Sequence, residues 1–213
     1  MRFPPMFRPG LCVFLSVAAV SGVRADLPAP SVSKNGVKAL LVSCYYDRLA
    51  RAAKAPQVTE AVGSLEEGND FASLPTDGAH LVGIAVQVAD EFGKSVISTI
   101  QPIFESREGR SRGQAKGKAV DALPLFVEAR PGYVVSELLI SASGNRVRAI
   151  KVVFRKLDLS HQTLIAGDAY ESEWLGADEF RKLARVGDKY RPAIGLAGRA
   201  ADWVASIGLL QAP

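Results

Sequence analysis

Chemistry in this chain would have to come from few side chains: two histidines, His80 and His161, two cysteines, Cys12 near the N-terminus and Cys44, and scattered carboxylates. A nucleophilic relay needs a serine or cysteine within reach of a histidine that an acid orients, and the sequence marks no such partners, so no catalysis is expected. A zinc site needs cysteine, histidine or carboxylate ligands at short fixed intervals. Neither histidine stands in such a run, so neither a metal nor a cofactor is expected, and His80 reads as a solvated or hydrogen-bonded side chain. Glu171 and Glu173 fall on one side of a strand, which alone does not make an acid pair. Gly109, Gly113 and Gly117 recur every fourth residue among Arg107, Arg110, Arg112, Lys116 and Lys118. A phosphate cradle would also need a following Lys-Ser or Lys-Thr and a helix N-terminus, so this stretch reads as a mobile, basic hairpin loop. Tyr170 and Trp174 could stack on a flat ligand face, although aromatics in a strand more often fill a β core.

The elements that would position such side chains form a repeat. The stretches LVGIAVQVADEFGKSVISTIQPIF (Leu81 to Phe104), YVVSELLISASGNRVRAIKVVF (Tyr133 to Phe154) and YRPAIGLAGRAADWVASIGLL (Tyr190 to Leu210) share an outline. Each is an apolar, β-rich run, a loop containing glycine, then a second run in which an isoleucine (Ile100, Ile150, Ile207) precedes further apolar residues. In the second, Ser143 to Asn145 is a strong turn signal. In the third, Gly198 with Ala200 and Ala201 supplies the turn. Spacings of roughly 50 to 60 residues argue for a three-fold all-β architecture. Between the units, DAYESEWLG alternates as an edge or half-buried strand does, and Ala177 to Tyr190 reads as a solvent-exposed loop or helical turn.

The N-terminus reads differently. Arg2 and Arg8 precede the apolar run Leu11 to Val20, and Val23-Arg24-Ala25 offers a small-x-small cleavage site, the pattern of a signal peptide over residues 1–25. The run is too short for an ordinary transmembrane helix, and no integral membrane segment is expected after cleavage near Asp26. Export implies a secreted or periplasmic protein. The formal charge of the whole chain is +4; removing Arg2, Arg8 and Arg24 leaves 23 basic residues against 22 acidic, or +1. A near-neutral surface gives no reason to expect nucleic acid or anionic lipid as partner. Residues 26–78 read as a linker and helix. Val37 to Lys54 places Val37, Leu40, Leu41, Cys44 and Leu49 at helical spacing, with Ser33 or Asn35 to cap it. Cys44, alone after cleavage, reads as a small apolar residue on the buried face, and Tyr45 and Tyr46 as packing residues. Ala55 to Thr76 reads as a connector, and the β domain as residues 79–213.

With these residues in view the chain resembles the jacalin-related lectin domain, a β-prism of three Greek-key-like sheets. The resemblance covers about Ala79 to Leu210 and is strongest in AIGLAGRAADWVASIGLL, which looks like that family's closing G-x-G-R-S-G-x-x-x-D-x-[IL]-G hairpin. It implies a non-catalytic module that binds carbohydrate over the last hairpin loop, where the motif's aspartate accepts hydrogen bonds from sugar hydroxyls. Carried over by position, Gly198 and Arg199 match, Ala201 falls at the glycine, Asp202 and Trp203 at variable positions, and Ala205 at the aspartate. In the second unit Gly144 matches the glycine and Arg148 takes the aspartate's place; in the first that place falls near Ser98. The decisive acceptor is therefore missing. A carboxylate contributes about 1.5 to 3 kcal/mol per hydrogen bond, against roughly 4 kcal/mol for a whole millimolar complex. Asp202 could point into the loop from another register and Trp203 could offer a stacking face, or Trp203 could pack between sheets. The partner expected is a glycan or, where the sugar loops have degenerated, a cell-envelope protein. An amphipathic helix ahead of the prism could also mediate assembly, including a homo-oligomer.

Overall fold

The computed structural model describes residues 34–75, 77–143, 145–176 and 183–213. The leader expected at residues 1–25, Cys12 and Gly144 lie outside them. The order begins with α1 (Lys34–Ala52), β1 (Gln57–Val58), β2 (Val62–Gly63) and β3 (Asn69–Ser73). A first long hairpin follows, β4 (His80–Glu91) and β5 (Lys94–Ser106), with β6 (Gly109–Arg112), β7 (Lys116–Gly117) and β8 (Leu125–Glu128). The second hairpin is β9 (Tyr133–Ser143) and β10 (Arg146–Asp158), with β11 (Thr163–Glu171), β12 (Leu175–Gly176) and β13 (Leu183–Gly187). The third is β14 (Ala193–Ala200) and β15 (Val204–Gln211).

These strands form three antiparallel sheets of one design, in the orders β6-β5-β4-β8, β11-β10-β9-β13 and β1-β15-β14-β3, with β7, β12 and β2 as further short strands on β5, β10 and β15. In each, a long hairpin is flanked on its second strand by two short pieces, and the chain then crosses to the hairpin's first strand. The third sheet closes the chain, because its outer strands β1 to β3 come from before the first hairpin. This differs from the expected connector at Ala55 to Thr76 and places part of the β domain ahead of residue 79. The basic stretch after Phe104 is likewise no free loop, since β6 and β7 pair with β5. Leu183–Gly187, expected as loop or helical turn, pairs with β9.

The three isoleucines fall at one repeated position. Thr99, Ala149 and Ser206 pair with Gly117, Gly176 and Gly63 respectively, so Ile100, Ile150 and Ile207, one residue further on, are equivalent. All three are buried in the core between the sheets, with Leu138, Ile140, Phe154, Leu196 and Leu209. Each fully buried aliphatic side chain of this size contributes about 1.5 to 3 kcal/mol. The turns are as local as the sequence suggests. Phe92 and Gly93 join β4 to β5 with φ of 53° and 75°, both left-handed as a two-residue hairpin loop requires. Gly198, by contrast, is not a turn residue. It lies inside β14, where a Cβ would collide with the Ser206 carbonyl, and Ala201 to Trp203 make the turn.

The helix docks on the third sheet by only part of the face its spacing suggests: Leu49 and the expected packing residue Tyr45 lie on it, whereas Val37, Leu40 and Cys44 do not. Tyr45, Leu49 and Ala52 are buried against Ile194, Leu210 and Ala212, while Leu40 is 64% exposed and Val37 and Cys44 are exposed too. Only the C-terminal half of α1 lies over strand ends, so the residues that face the sheet there decide its rotation. Arg48 fixes the register by donating to the carbonyls of Gln162 (2.6 Å) and Pro213 (3.1 Å). Pro56 follows within four residues of the helix end, where it cannot continue the helical ladder. Helix and sheets form one compact unit, Lys34–Pro213. No described helix is long and apolar enough to cross a membrane.

Candidate functional site

The tips of the three hairpins gather at one end of the sheets, where each gives a side chain to one cluster. Glu91 comes from β4, Arg146 and Arg148 from β10, and Trp203 from the β14–β15 turn. Arg146 Nη2 lies 2.7 Å from Glu91 Oε1 and Arg148 Nη1 3.6 Å from Glu91 Oε2. The Arg146 guanidinium carbon sits 3.9 Å from the centroid of the Trp203 ring, a cation–π contact. Trp203 is half-buried, and its covered face is closed to a ligand by Arg146; only its remaining surface could stack. Arg148 also donates to the carbonyls of Ser143 and Ser95, each at 3.2 Å. The arginine at the second unit's aspartate position is therefore a clamp between two hairpins.

Arg199 does the corresponding work in the third sheet. Its side chain reaches the loop between β2 and β3, donating to Leu65 O (2.9 Å), Glu67 O (3.2 Å) and Gly68 O (2.7 Å). Asp70 Oδ1 lies 3.4 Å from its Nη1. Gly68, at φ +78°, brings this loop against Ala200 so closely that a Cβ would meet its backbone at 2.8 Å. Ser64 N donates to Ala205 O at 2.9 Å and Asn145 Nδ2 to Glu67 Oε1 at 3.3 Å. Residues 64–68 are thus laid beside the third turn, touching the second. Arg199→Met should release them: amide exchange of Glu66 to Gly68 is expected to rise at least tenfold, with unfolding temperature changed by only a few degrees, because these backbone groups can turn to water. Unchanged exchange would show that Gly68 and Ser64 hold the loop alone.

The residues carried over by resemblance divide. Gly198 and Arg199 build the loop's support. Asp202 projects from the turn with its side chain 63% exposed, 3.5 Å from Lys118 Nζ, as an available acceptor. Ala205 is 1% exposed and has no polar side chain, and Ser98 donates its hydroxyl inward to Gln87 O at 3.1 Å. So the positions equivalent to the aspartate face the structure rather than a ligand. Glu91, Arg146 and the 64–68 loop were not marked by the sequence reading. The signal available for the loop was the repeated x-Gly at Val62-Gly63, Lys116-Gly117 and Leu175-Gly176.

The other residues singled out in the sequence lie outside this cluster. Asp158, Ser160 and His161 meet in an exposed turn, with Asp158 Oδ2 and Ser160 Oγ on the same ring nitrogen, His161 Nδ1, at 2.8 and 3.1 Å. A nucleophilic relay needs its serine and acid on opposite nitrogens. Hydrogen bonds from Ser160 and then His161 hold the Asp158 carboxyl well below the usual range. Tyr170 packs on Phe154 with ring centroids 5.0 Å apart, as core. His80, expected to be solvated or hydrogen-bonded, is 3% exposed, and its Nδ1 has no hydrogen-bond partner among the described residues. It is the first residue of β4 and is covered by α1. Among the described residues no group of three or more histidine, cysteine or acidic side chains could hold a metal.

No family model matches the chain, and no curated protein matches it significantly. Solved structures do. The mannose-binding lectin from Champedak superposes with a TM-score of 0.54 at 13% identity, covering 74% of this chain and 97% of that one. The Malaysian banana lectin gives 0.53 at 14%, over 75% and 99%, and a single-chain recombinant jacalin 0.54 at 14%, over 74% and 95%. The three curled sheets and these neighbours show a jacalin-like β-prism fold.

Proposed function

We propose that this jacalin-like β-prism is an exported, non-catalytic, lectin-like module, secreted or periplasmic, that binds carbohydrate at the hairpin-tip end. The observation that carries the reading is Arg199 spending its guanidinium on the carbonyls of Leu65, Glu67 and Gly68, which sets a polar loop beside Asp202 and Trp203. Neighbours of the same fold include a mannose-binding lectin and artocarpin in complex with mannotriose. Asp202 replaces the missing acceptor at Ala205 from the turn itself. Being exposed, it forms weaker contacts than a seated carboxylate, so single sugars bind in the millimolar range or above, at about 4 kcal/mol or less.

The test is a glycan array with the chain from Asp26. The expected result is binding that Asp202→Asn lowers at least tenfold and that Trp203→Ala also weakens, while Phe92→Ala leaves it unchanged. An array silent for the unsubstituted chain sinks the reading.

One observation favours a second reading, a cell-envelope protein-interaction domain. Phe92 stands 98% exposed at the tip of the first hairpin, and an exposed aromatic of this kind is a common anchor of protein interfaces. Capture of a single envelope protein that Phe92→Ala abolishes, beside a silent array, would establish it.

A further inference from the structure

A groove runs along the seam between the third and second sheets and ends at the hairpin tips. One wall is the outer side of β1 and β2, and the other is β13; among the described strands each is an edge of its sheet. The groove holds two adjoining hollows. The larger, about 560 Å³, lies between Gln57 and Glu60 on one side and Arg185 and Asp188 on the other. The smaller, about 200 Å³, is closed by Asn145 and Arg146. Val62, Gly63 and Ala184 line both, so they form one channel. Its far end is continuous with the candidate site, since Arg146 covers Trp203 and Asn145 touches Glu67 of the 64–68 loop.

We infer that the ligand of this prism is a carbohydrate chain of several residues, whose end lies at the hairpin tips and whose following units run up the seam. This rests on the carbohydrate reading above. The lining decides the class of ligand. Its reaching side chains are amides, carboxylates and guanidinia: Gln57 and Glu60 stand exposed, while Arg185, paired with Glu137 and Glu171, and Arg146, paired with Glu91, keep further N–H groups to donate. A peptide added as a strand would also need pockets for alternate apolar side chains. Among the described lining residues the apolar ones are small or sunk into the wall, Ala184 half-buried and Val186 buried. Size agrees. The smaller hollow alone falls below the roughly 300 to 1,000 Å³ of ordinary ligand sites, whereas the channel as a whole falls within it. A chain held along the seam also offsets the weakness of the tip, where the seated acceptor is absent.

The test is a binding titration of the chain from Asp26 with linear manno- and gluco-oligosaccharides of one to six residues. In a series that binds, the hexamer is expected to bind at least tenfold more tightly than the dimer. Ala184→Trp, which plugs the neck between the hollows, should bring the hexamer to the dimer's affinity and leave the dimer unchanged. Glu60→Arg, an exposed change in the upper hollow, should do the same in part, and guards against a misfolded Ala184→Trp. Equal affinity for dimer and hexamer, or a length dependence that both substitutions leave intact, overturns the inference while the tip site stands. Failure of every oligomer to bind overturns both.

Discussion

Gly117→Ala is expected to lower stability by about 3 kcal/mol, from left-handed strain of roughly 1 to 2 kcal/mol and an overlap cost of similar size. In a domain of this length that is a fall in unfolding temperature of about 6 to 12 °C. Gly63→Ala and Gly176→Ala should behave alike. The three glycines have φ of +123°, +99° and +111° for Gly63, Gly117 and Gly176, a region that side chains rarely enter. In each, a Cβ would come closer than 3.0 Å to a carbonyl of the neighbouring strand, of Ala205, Ser98 and Arg148 respectively. That obstacle is backbone, held by its own ladder, so no rotamer change relieves it. Two other glycines separate the contributions. Gly109 and Gly132 also have positive φ, +123° and +82°, but a Cβ there meets nothing within 4 Å among the described residues. Their alanine variants should cost only the strain, roughly 1 to 2 kcal/mol. Thermal unfolding followed by circular dichroism distinguishes the sets. If the three variants are no worse than Gly109→Ala and Gly132→Ala, the close crossing is not what these glycines provide.

The equivalence of those glycines also marks how far the sequence could be read. The hairpins were legible because both their strands are long and buried on one or both faces, so Ile100, Ile150 and Ile207 stand out against their loops. Once the hairpins are aligned, the positions of Ala205, Ser98 and Arg148 follow, and the structure places all three opposite the equivalent glycines. The outer strands were not legible. β1, β2, β6 and β7 are two to four residues long and mostly exposed, so they carry no alternation. They exist because β15 and β5 present unpaired backbone groups to them. The helix was visible as a helix, and its docked face only in part. Val37, Leu40, Leu41, Cys44 and Leu49 fall at helical spacing, and Leu49 with the packing residue Tyr45 overlies Ile194 and Leu210, but the N-terminal part of that stripe is left outside the contact. The support of the candidate site lies further still from local pattern, because Arg199 meets carbonyls 131 to 134 residues away. Arg199 was singled out by position within a hairpin motif. What it does there depends on a loop of the third sheet that arrives from the other end of the chain.

Acid should loosen the helix before it loosens the sheets, through His80. Its ring lies under α1, 5.8 Å from that of Tyr46 at an interplanar angle of 11°, and 5.6 Å from that of Tyr45 at 52°. Burial first, and the nearby Arg110 guanidinium second, push its pKa down from 6.5 to about 3. Glu105, its register partner on β5, holds Arg110 at 3.0 Å and so adds little to favour a second cation. The folded pKa lies below the unfolded one, so the unfolded chain takes up the proton first as pH falls. The stability that neutral His80 allows is complete above pH 6.5 and is lost progressively down to about pH 3. At 1.36 kcal/mol per pH unit the loss is about 3 kcal/mol at pH 4 and about 4 kcal/mol at pH 3, where the folded group is itself half protonated. Lifting α1 hydrates His80 but exposes Tyr45 and Leu49, each costing about 1.5 to 3 kcal/mol, and breaks Arg48's two hydrogen bonds. At its lower end that is comparable with what protonating His80 releases, whereas opening the core between the sheets would expose many such side chains at once. Undocking of α1 is therefore the expected response near pH 4. Hydrogen-exchange protection of residues 45–52 should fall on the order of a hundredfold between pH 7 and pH 4, after correction for intrinsic rates, while β9 and β10 stay protected. His80→Phe keeps a ring of similar size under Tyr46 and removes the titrating group, so its helix should remain protected at pH 4. Equal loss of protection in both proteins would mean that another group drives the change, and no loss in either would mean that the helix is held by more than its buried face.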